Sequence, residues 1–290
     1  MRVIGYVGLG AMGAPMLARL AAPEDETWGY DANAEVAAEV CAKAGARCAE
    51  TLAEIAGACD VLFTCLPNND IVREVYLGKD GIAASIREGS VTIDCSTVGP
   101  DATRDVHEGL QRVGVQHLDA SMLGSVQQAN EGTISFVVGG DETALESVRP
   151  VLERVGGMIR HCGASGAGNQ MKLLHQVLVA GHAVAVGEVM ALCDHVGADS
   201  DAFYDIVTQG TGFAYSRYFE KRVPRMASGD YSALFMLKFM LKDARLARDM
   251  GQGMPALDAV IKTLEDAVEQ GHGEEDFSAV AKTARRRVQG

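Results

Sequence analysis

The feature that most constrains this chain lies at its start. Val3–Val7 is an apolar, β-rich run that leads directly into Gly8-Leu9-Gly10-Ala11-Met12-Gly13, and the residues beyond read as helix. A G-x-G-x-x-G on its own marks no more than a tight bend in many chains. Between a strand and a helix each glycine has a task. The first permits the turn, the second lets backbone approach a pyrophosphate, and the third lets helix and strand pack closely. The helix N-terminus adds N–H groups and partial positive charge for the phosphates. Eighteen residues past Gly13, Asp31 ends the run Trp28-Gly29-Tyr30-Asp31. A carboxylate there accepts hydrogen bonds from adenosine ribose hydroxyls and repels a 2′-phosphate, which favours NAD over NADP. Asp31 has a second reading, as N-cap of the next helix. FAD is the other dinucleotide such a motif holds, although nothing downstream has the pattern of a flavin enzyme.

The first half of the chain continues the alternation. Thr27–Tyr30, Val61–Cys65, Val91–Asp94, Val115–Leu118 and Ile134–Val138 are short β-rich runs separated by helical patterns, with Pro67, Gly89 and Gly99-Pro100 where strands end. This predicts an α/β fold whose mostly parallel sheet is covered on both faces, a Rossmann domain over residues 1–163. From Gly163-Ala164-Ser165-Gly166-Ala167-Gly168 onward the pattern is helical almost to the end, which predicts an all-helical domain over residues 164–290. Asn169–Val196 is apolar nearly all round, and such a helix must be buried on every side. A helical domain of that size would struggle to surround it alone. The helix is therefore expected to be shared with a second subunit, in a homodimer or homotetramer.

Net charge and cysteines exclude several functions. The formal charge of −13 argues against a nucleic-acid or anionic-membrane partner, since phosphate-binding surfaces need a basic excess. Arg285-Arg286-Arg287 is the local exception and reads as a solvated helix end. The seven cysteines form no C-x-x-C pair and fit neither a zinc site nor a disulfide framework, so no metal and a reduced cytoplasm are expected. The N-terminus passes straight into a strand with no signal-peptide pattern. The most apolar segment, Val177–Cys193, contains His182, Gly187 and Glu188 and suits a buried helix better than a membrane span.

Three further segments are more specific: Asp94-Cys95-Ser96-Thr97, Gly166-Ala167-Gly168-Asn169-Gln170-Met171-Lys172, and Lys242-Asp243. With the Gly8–Met16 motif, their order and spacing over the whole chain resemble the 3-hydroxyisobutyrate dehydrogenase (β-hydroxyacid dehydrogenase) family. The resemblance implies NAD-dependent oxidation of the 3-hydroxyl of a small hydroxy acid, or reduction of the matching semialdehyde. It implies a Rossmann domain, a helical domain and an active site in the cleft between them. Lys172 matches the family's catalytic acid/base. Ser96 and Thr97 match a pair lying between substrate and cofactor, Leu66-Pro67 a segment lining the cofactor, and Lys242 a lysine reaching cofactor or substrate.

The chemistry of these residue types is compatible with those roles. Oxidising a hydroxyl needs a base for the O–H proton while hydride leaves, and lysine serves when burial or nearby cations favour its neutral form. The bland alternatives are a snorkelling surface lysine for Lys172, a cap of the helix near Pro100 for Ser96 and Thr97, and a solvated helix-face residue for Lys242. His175 and Gln176, three and four residues after Lys172, share its helix face and are expected to contact substrate. An isolated His on an apolar helix is otherwise a satisfied core residue. Much of the family has Asn in place of His175. The His-Gln version, together with Asp230-Tyr231, is similar to the subgroup typified by L-threonate dehydrogenase.

One departure bears on the substrate. Where the family commonly reads D-A-P-V-S-G-G, this chain has Asp119-Ala120-Ser121-Met122-Leu123-Gly124-Ser125. The resemblance assigns Leu123, Gly124 and Ser125 to a loop that grips the substrate carboxylate, largely through backbone N–H groups. Two rivals remain at this level. One is imine or ketone reduction on the same scaffold, whose imine-reducing members usually lack the lysine. The other is a non-catalytic NAD-binding protein, which Lys172 and Lys242 argue against.

Overall fold

The computed structural model describes residues 1–289. The chain divides into two compact units, residues 1–172 and residues 173 onward.

The first unit is built on one eight-stranded sheet in the order β3-β2-β1-β4-β5-β6-β7-β8. The strands are β1 (Val3–Val7), β2 (Glu26–Tyr30), β3 (Arg47–Cys48), β4 (Val61–Thr64), β5 (Val91–Asp94), β6 (Gln116–Leu123), β7 (Ile134–Gly139) and β8 (Gly156–Gly163). Every neighbouring pair is parallel except β6 and β7. Its helices are α1 (Gly13–Leu20), α2 (Ala34–Ala44), α3 (Leu52–Ala58), α4 (Asn69–Leu77), α5 (Pro100–Gln111), α6 (Val126–Glu131) and α7 (Glu142–Leu152). Successive side chains of a strand point to opposite faces, and the two cores divide accordingly. Ile4, Tyr6, Phe63 and Ile93 belong to one apolar cluster, whereas Val7 and Leu62 join Tyr76, Val106 and Leu110 in another.

Strand order reverses between β1 and β4. The loops leaving their carboxyl ends, Gly8–Gly13 and Leu66–Pro67, therefore open at the switch point where such sheets bind ligands. The six strands expected from sequence are all present, with ends shifted by a residue or a few. Two escaped the pattern. β3 has only two residues, and β8 carries the edge sequence Gly-Gly-Met-Ile-Arg-His-Cys-Gly, without a continuous apolar face.

The second unit is helical. α8 (Ala167–Val196) starts in the first unit and continues into this one; α9 (Ser200–Gln209), α10 (Arg217–Ala227), α11 (Leu237–Asp249), α12 (Pro255–Ala267) and α13 (Val280–Gln289) follow. They enclose a core that includes Leu173, Ala183, Met190, Phe219, Met240 and Leu264. The sequence placed the domain boundary at residues 163 and 164, where the glycines cluster. The compact first unit extends to Lys172, because the opening turns of α8 are hydrogen-bonded to Asp119 of β6.

The helices of its own unit leave part of α8 uncovered. Leu173, Ala180, Ala183 and Met190 are buried, but Leu174, Leu178, Leu192 and Val196 form a stripe that is more than half exposed in the single chain. By length and composition α8 could cross a membrane, and 44% of its most apolar window is already buried within the protein. Arg285 and Arg287 at the end of α13 pair with Asp194 and Asp266.

Candidate functional site

The glycine loop is shaped as its sequence requires. Gly8 has φ +91°, and a Cβ there would overlap the Cys65 carbonyl; a Cβ at Gly13 would overlap the carbonyl oxygen of Gly8. At Gly10 a Cβ would meet nothing within 4 Å, so this side of the loop is open. α1 begins without a side-chain cap and without an acidic residue in its first turn, so it presents its N–H groups and dipole to an anion. Leu9, Ala11 and Met12 fill the intervening loop positions.

Asp31 stands at the end of β2 and accepts hydrogen bonds from the Leu9 and Asn33 N–H groups at 2.7 and 2.9 Å. The N-cap of α2 is Asn33, whose Oδ1 accepts from Glu35 and Val36, so the capping alternative for Asp31 does not hold. An open loop, an uncapped helix start and a carboxylate beside them fit a dinucleotide's pyrophosphate and ribose. Among the described residues no group of three or more His, Cys, Asp or Glu is placed to hold a metal.

Ser96 and Thr97 follow β5. Ser96 is almost fully buried, and its hydroxyl donates to Asp94 Oδ1 while accepting from the Leu66 N–H at 2.7 Å. Asp94 Oδ1 also accepts from the Thr64 hydroxyl, which is bonded to Tyr76. Ser96 thus ties the β5 loop to Leu66-Pro67 by donating one hydrogen bond and accepting another. Neither Ser96 nor Thr97 caps α5, whose N-cap is Gly99.

Lys172 lies in the second turn of α8 and is 8% exposed, which sets aside a snorkelling surface lysine. Its Nζ donates to the Met122 carbonyl oxygen at 2.8 Å. The helix start is anchored by Asp119, whose two oxygens accept from the Gly166 and Asn169 N–H groups at 2.8 and 2.9 Å. Burial pushes the Asp119 carboxyl up to about 6, with those two N–H donors opposing the shift. At Gly168 the helix backbone approaches β6 and β7 so closely that a Cβ would overlap the carbonyls of Asp119 and Val137.

Asn169, fully buried, links four segments. Its Oδ1 accepts from the Val98 N–H and the Ser121 hydroxyl, and its Nδ2 donates to Thr103. The sequence quoted Asn169 within a motif but gave it no role. Its signal was available: an amide between small residues at the start of an apolar helix has several bonds to make.

The loop Leu123–Gly124–Ser125 begins one residue beyond Met122. Leu123 ends β6, Gly124 is exposed, and Ser125 starts α6 with both its N–H and its hydroxyl donating to Gln128 Oε1, at 2.9 and 2.6 Å. Ser125 therefore forms a capping box with Gln128 at the start of α6.

In the second unit, Gln176 is buried and donates from Nε2 to Asp243 Oδ2 at 2.7 Å. Its Oε1 lies 3.3 Å from the Nδ1 of His175, an exposed residue. Lys242 Nζ is 3.2 Å from Asp243 Oδ1, an ion pair without hydrogen-bond alignment. Asp243, 1% exposed, was also passed over in the sequence as a plain motif partner of Lys242. Asp230 and Tyr231 have structural partners: Asp230 pairs with Arg225 at 2.9 Å, and the Tyr231 hydroxyl accepts from Arg285 at 3.0 Å.

Comparison with known proteins agrees with this geometry. Residues 3–163 match the family model of the NAD binding domain of 6-phosphogluconate dehydrogenase. Residues 166–284 match the model described as NAD-binding of NADP-dependent 3-hydroxyisobutyrate dehydrogenase. An NAD-dependent L-serine dehydrogenase of Pseudomonas aeruginosa is 32% identical, covering 97% of each chain. An L-threonate dehydrogenase of Cupriavidus necator is 32% identical over 97% of this chain and 95% of its own. Among solved structures, the 3-hydroxyisobutyrate dehydrogenase of Mycobacterium tuberculosis with L-serine superposes with a TM-score of 0.89 at 31% identity, covering 98% of this chain and 99% of the other. Together the fold, the dinucleotide loop and these likenesses establish that the chain belongs to the 3-hydroxyisobutyrate dehydrogenase family of NAD-dependent hydroxy-acid dehydrogenases.

Proposed function

We propose that this protein oxidises the 3-hydroxyl of a small polar hydroxy acid, such as a sugar acid, or reduces the matching semialdehyde, with Lys172 as acid/base. The observation that carries this reading is the buried Lys172 amine, held on the Met122 carbonyl at the head of the Leu123–Ser125 loop. Bound NAD supplies the hydride acceptor. The protein's part is to hold the cofactor on Gly8–Gly13 and Asp31, with Leu66, Pro67, Thr97 and Lys242 assigned to it, and to manage one proton. A neutral lysine amine keeps N–H bonds to donate to Met122 and a lone pair to receive the hydroxyl proton. As the carbinol C–H leaves as hydride, the O–H proton passes to Nζ and the carbonyl forms; reduction runs the same proton back.

Ser96, Leu123, Gly124, Ser125, His175 and Gln176 are assigned to substrate in this proposal. A cytoplasmic enzyme and a homodimer or homotetramer belong to the same reading, the oligomer supported by the exposed apolar stripe of α8. The deciding experiment is an NADH-production screen across threonate, erythronate, hydroxyisobutyrate, glycerate and serine, run with wild type and Lys172→Ala. Turnover of at least one acid by wild type, and its loss in the variant, is expected; no turnover of any hydroxy acid would remove the proposal.

A further inference from the structure

The Asp243, Gln176 and His175 side chains form a chain of hydrogen bonds whose direction can be read from one end. A carboxylate oxygen accepts and cannot donate, so the Gln176 amide turns Nε2 toward Asp243 Oδ2, at 2.7 Å. Its carbonyl Oε1 then faces His175 Nδ1 at 3.3 Å. A carbonyl oxygen also only accepts, so the imidazole satisfies this contact by carrying its proton on Nδ1. Gln176 is 4% exposed and Asp243 is 1% exposed, so water does not readily turn the Gln176 amide away from Asp243.

We propose that Asp243 and Gln176 are a positioning pair that holds His175 as its Nδ1–H tautomer, so that Nε2 meets a substrate hydroxyl as a hydrogen-bond acceptor. The substrate half rests on the reading of His175 as a substrate contact; the tautomer half does not. The chemistry selects a class of substrate. An acceptor at this place favours acids with a hydroxyl beyond the one being oxidised, over acids carrying a methyl group there. Where substrate covers His175, a missing hydroxyl leaves the imidazole acceptor unpaired, which penalises the methyl-bearing acid.

The test is two-bond proton–nitrogen correlation NMR of ¹⁵N-histidine protein, at a pH well above the ordinary imidazole pKa of about 6.5. The His175 signals are assigned by their absence in His175→Asn. In wild type, the unprotonated nitrogen of His175 should be Nε2, which couples to both ring carbon protons. Gln176→Met keeps Asp243 and Lys242 but removes the carbonyl, and should move the population toward the Nε2–H form that a solvated imidazole prefers. Asp243→Asn can turn the Gln176 amide round and should move it the same way.

In parallel, Gln176→Met should lower kcat/KM for a polyhydroxy acid by about three- to tenfold, the worth of one hydrogen bond, chiefly through KM. NADH affinity should stay within about twofold, a free-energy change too small for a lost hydrogen bond. A protonated Nε2 in wild type, or a tautomer indifferent to both substitutions, overturns the positioning pair and leaves the Lys172 reading standing. A tautomer that follows Gln176 while kcat/KM does not change overturns the substrate contact instead, and the proposal with it.

Discussion

Lys172 Nζ donates to the main-chain carbonyl of Met122, and this bond survives whichever protonation state the amine takes. An ammonium has three N–H donors and a neutral amine has two, so Met122 can fix the position of Nζ while its proton content changes. The amine proposed as acid/base is thus located by a neighbour that does not have to titrate with it.

Lys172→Ala is accordingly expected to lower kcat for hydroxy-acid oxidation by about 10²–10⁴, the usual worth of a positioned acid/base. NADH affinity should hardly change, since Gly8, Gly10, Gly13 and Asp31 are untouched. Oxidation consumes the neutral amine and reduction the ammonium. In wild type the oxidation rate should therefore rise with pH above neutrality, and the rate of semialdehyde reduction should fall. Steady-state pH profiles in both directions check this, and a variant keeping more than about a tenth of wild-type kcat with chemistry rate-limiting would assign the base elsewhere.

Asn169 makes a second mechanistic demand on α8. Replacing it by Ala orphans the Val98 N–H and the Ser121 and Thr103 hydroxyl partners inside a dry site. Each orphaned group costs about 1–3 kcal/mol, in part relieved by rearrangement, so a loss of about 2–4 kcal/mol is expected in urea unfolding. Because Val98 and Ser121 flank the two site loops, kcat should fall further than NADH affinity. A fully active, equally stable variant would show that the network does not position Lys172.

The sequence was most legible where a residue's task is local. The glycine loop, Asp31, the βα alternation and Lys172 rest on backbone conformation, strand period or a short motif, and each is found where its pattern put it. The antiparallel β7, the edge strand β8 and the roles of Asn169, Asp119 and Asp243 were not legible, because they depend on partners 20 to 70 residues away. Asp119 and Asn169 are joined across 50 positions and Gln176 and Asp243 across 67. Ser96 and Ser125 show a complementary case: their polar type was legible, but the partners their hydroxyls donate to, Asp94 and Gln128, were not.

Asp31 should set cofactor choice. A 2′-phosphate beside this carboxylate loses the ribose hydrogen bonds and meets like charge, at about 1–4 kcal/mol depending on the effective dielectric. NAD should be favoured over NADP by about ten- to several-hundred-fold in kcat/KM, and Asp31→Ser should narrow that ratio by about tenfold or more. The same substitution also removes the acceptor of the Leu9 N–H, so the NAD affinity of the variant should fall as well. Equal use of both cofactors by wild type would contradict this role.

The exposed stripe of α8 should be covered by a second copy of the chain. Leu178 and Val196 are each 65% exposed, and Leu174 and Leu192 are above 50%. Turn after turn of bare aliphatic side chain is costly in water, at about 25 cal/mol per Å². Sedimentation at micromolar concentration should show a dimer or tetramer, and Leu178→Glu with Leu192→Glu should shift it toward monomer. A stable wild-type monomer would refute the shared helix.

Acid stability of the first unit should reveal two buried groups working against each other. His117 is fully buried, with Nδ1 2.8 Å from the Thr92 hydroxyl and its ring edge-on to Tyr76 at 5.3 Å. Burial, with a smaller push from His107, lowers its pKa to about 3. In the unfolded chain it titrates near about 6.5. As pH falls below that value the unfolded state takes up the proton and the folded state does not. Stability from this group is then lost at up to about 1.4 kcal/mol per pH unit, until the folded pKa is reached. Asp119 has the opposite sign, because its folded pKa of about 6 lies above the unfolded value near about 3.9. The folded state now binds the proton first, and stability is gained as pH falls from about 6 to about 4. Within that window the two slopes nearly cancel in wild type. His117→Phe keeps a ring against Tyr76 and removes one arm of the balance. Relative to wild type, its denaturation free energy should climb by about 1 kcal/mol for each pH unit lowered from 6 to 4. Guanidinium unfolding at several pH values measures it, and parallel profiles for the two proteins would mean that His117 is protonated in the fold.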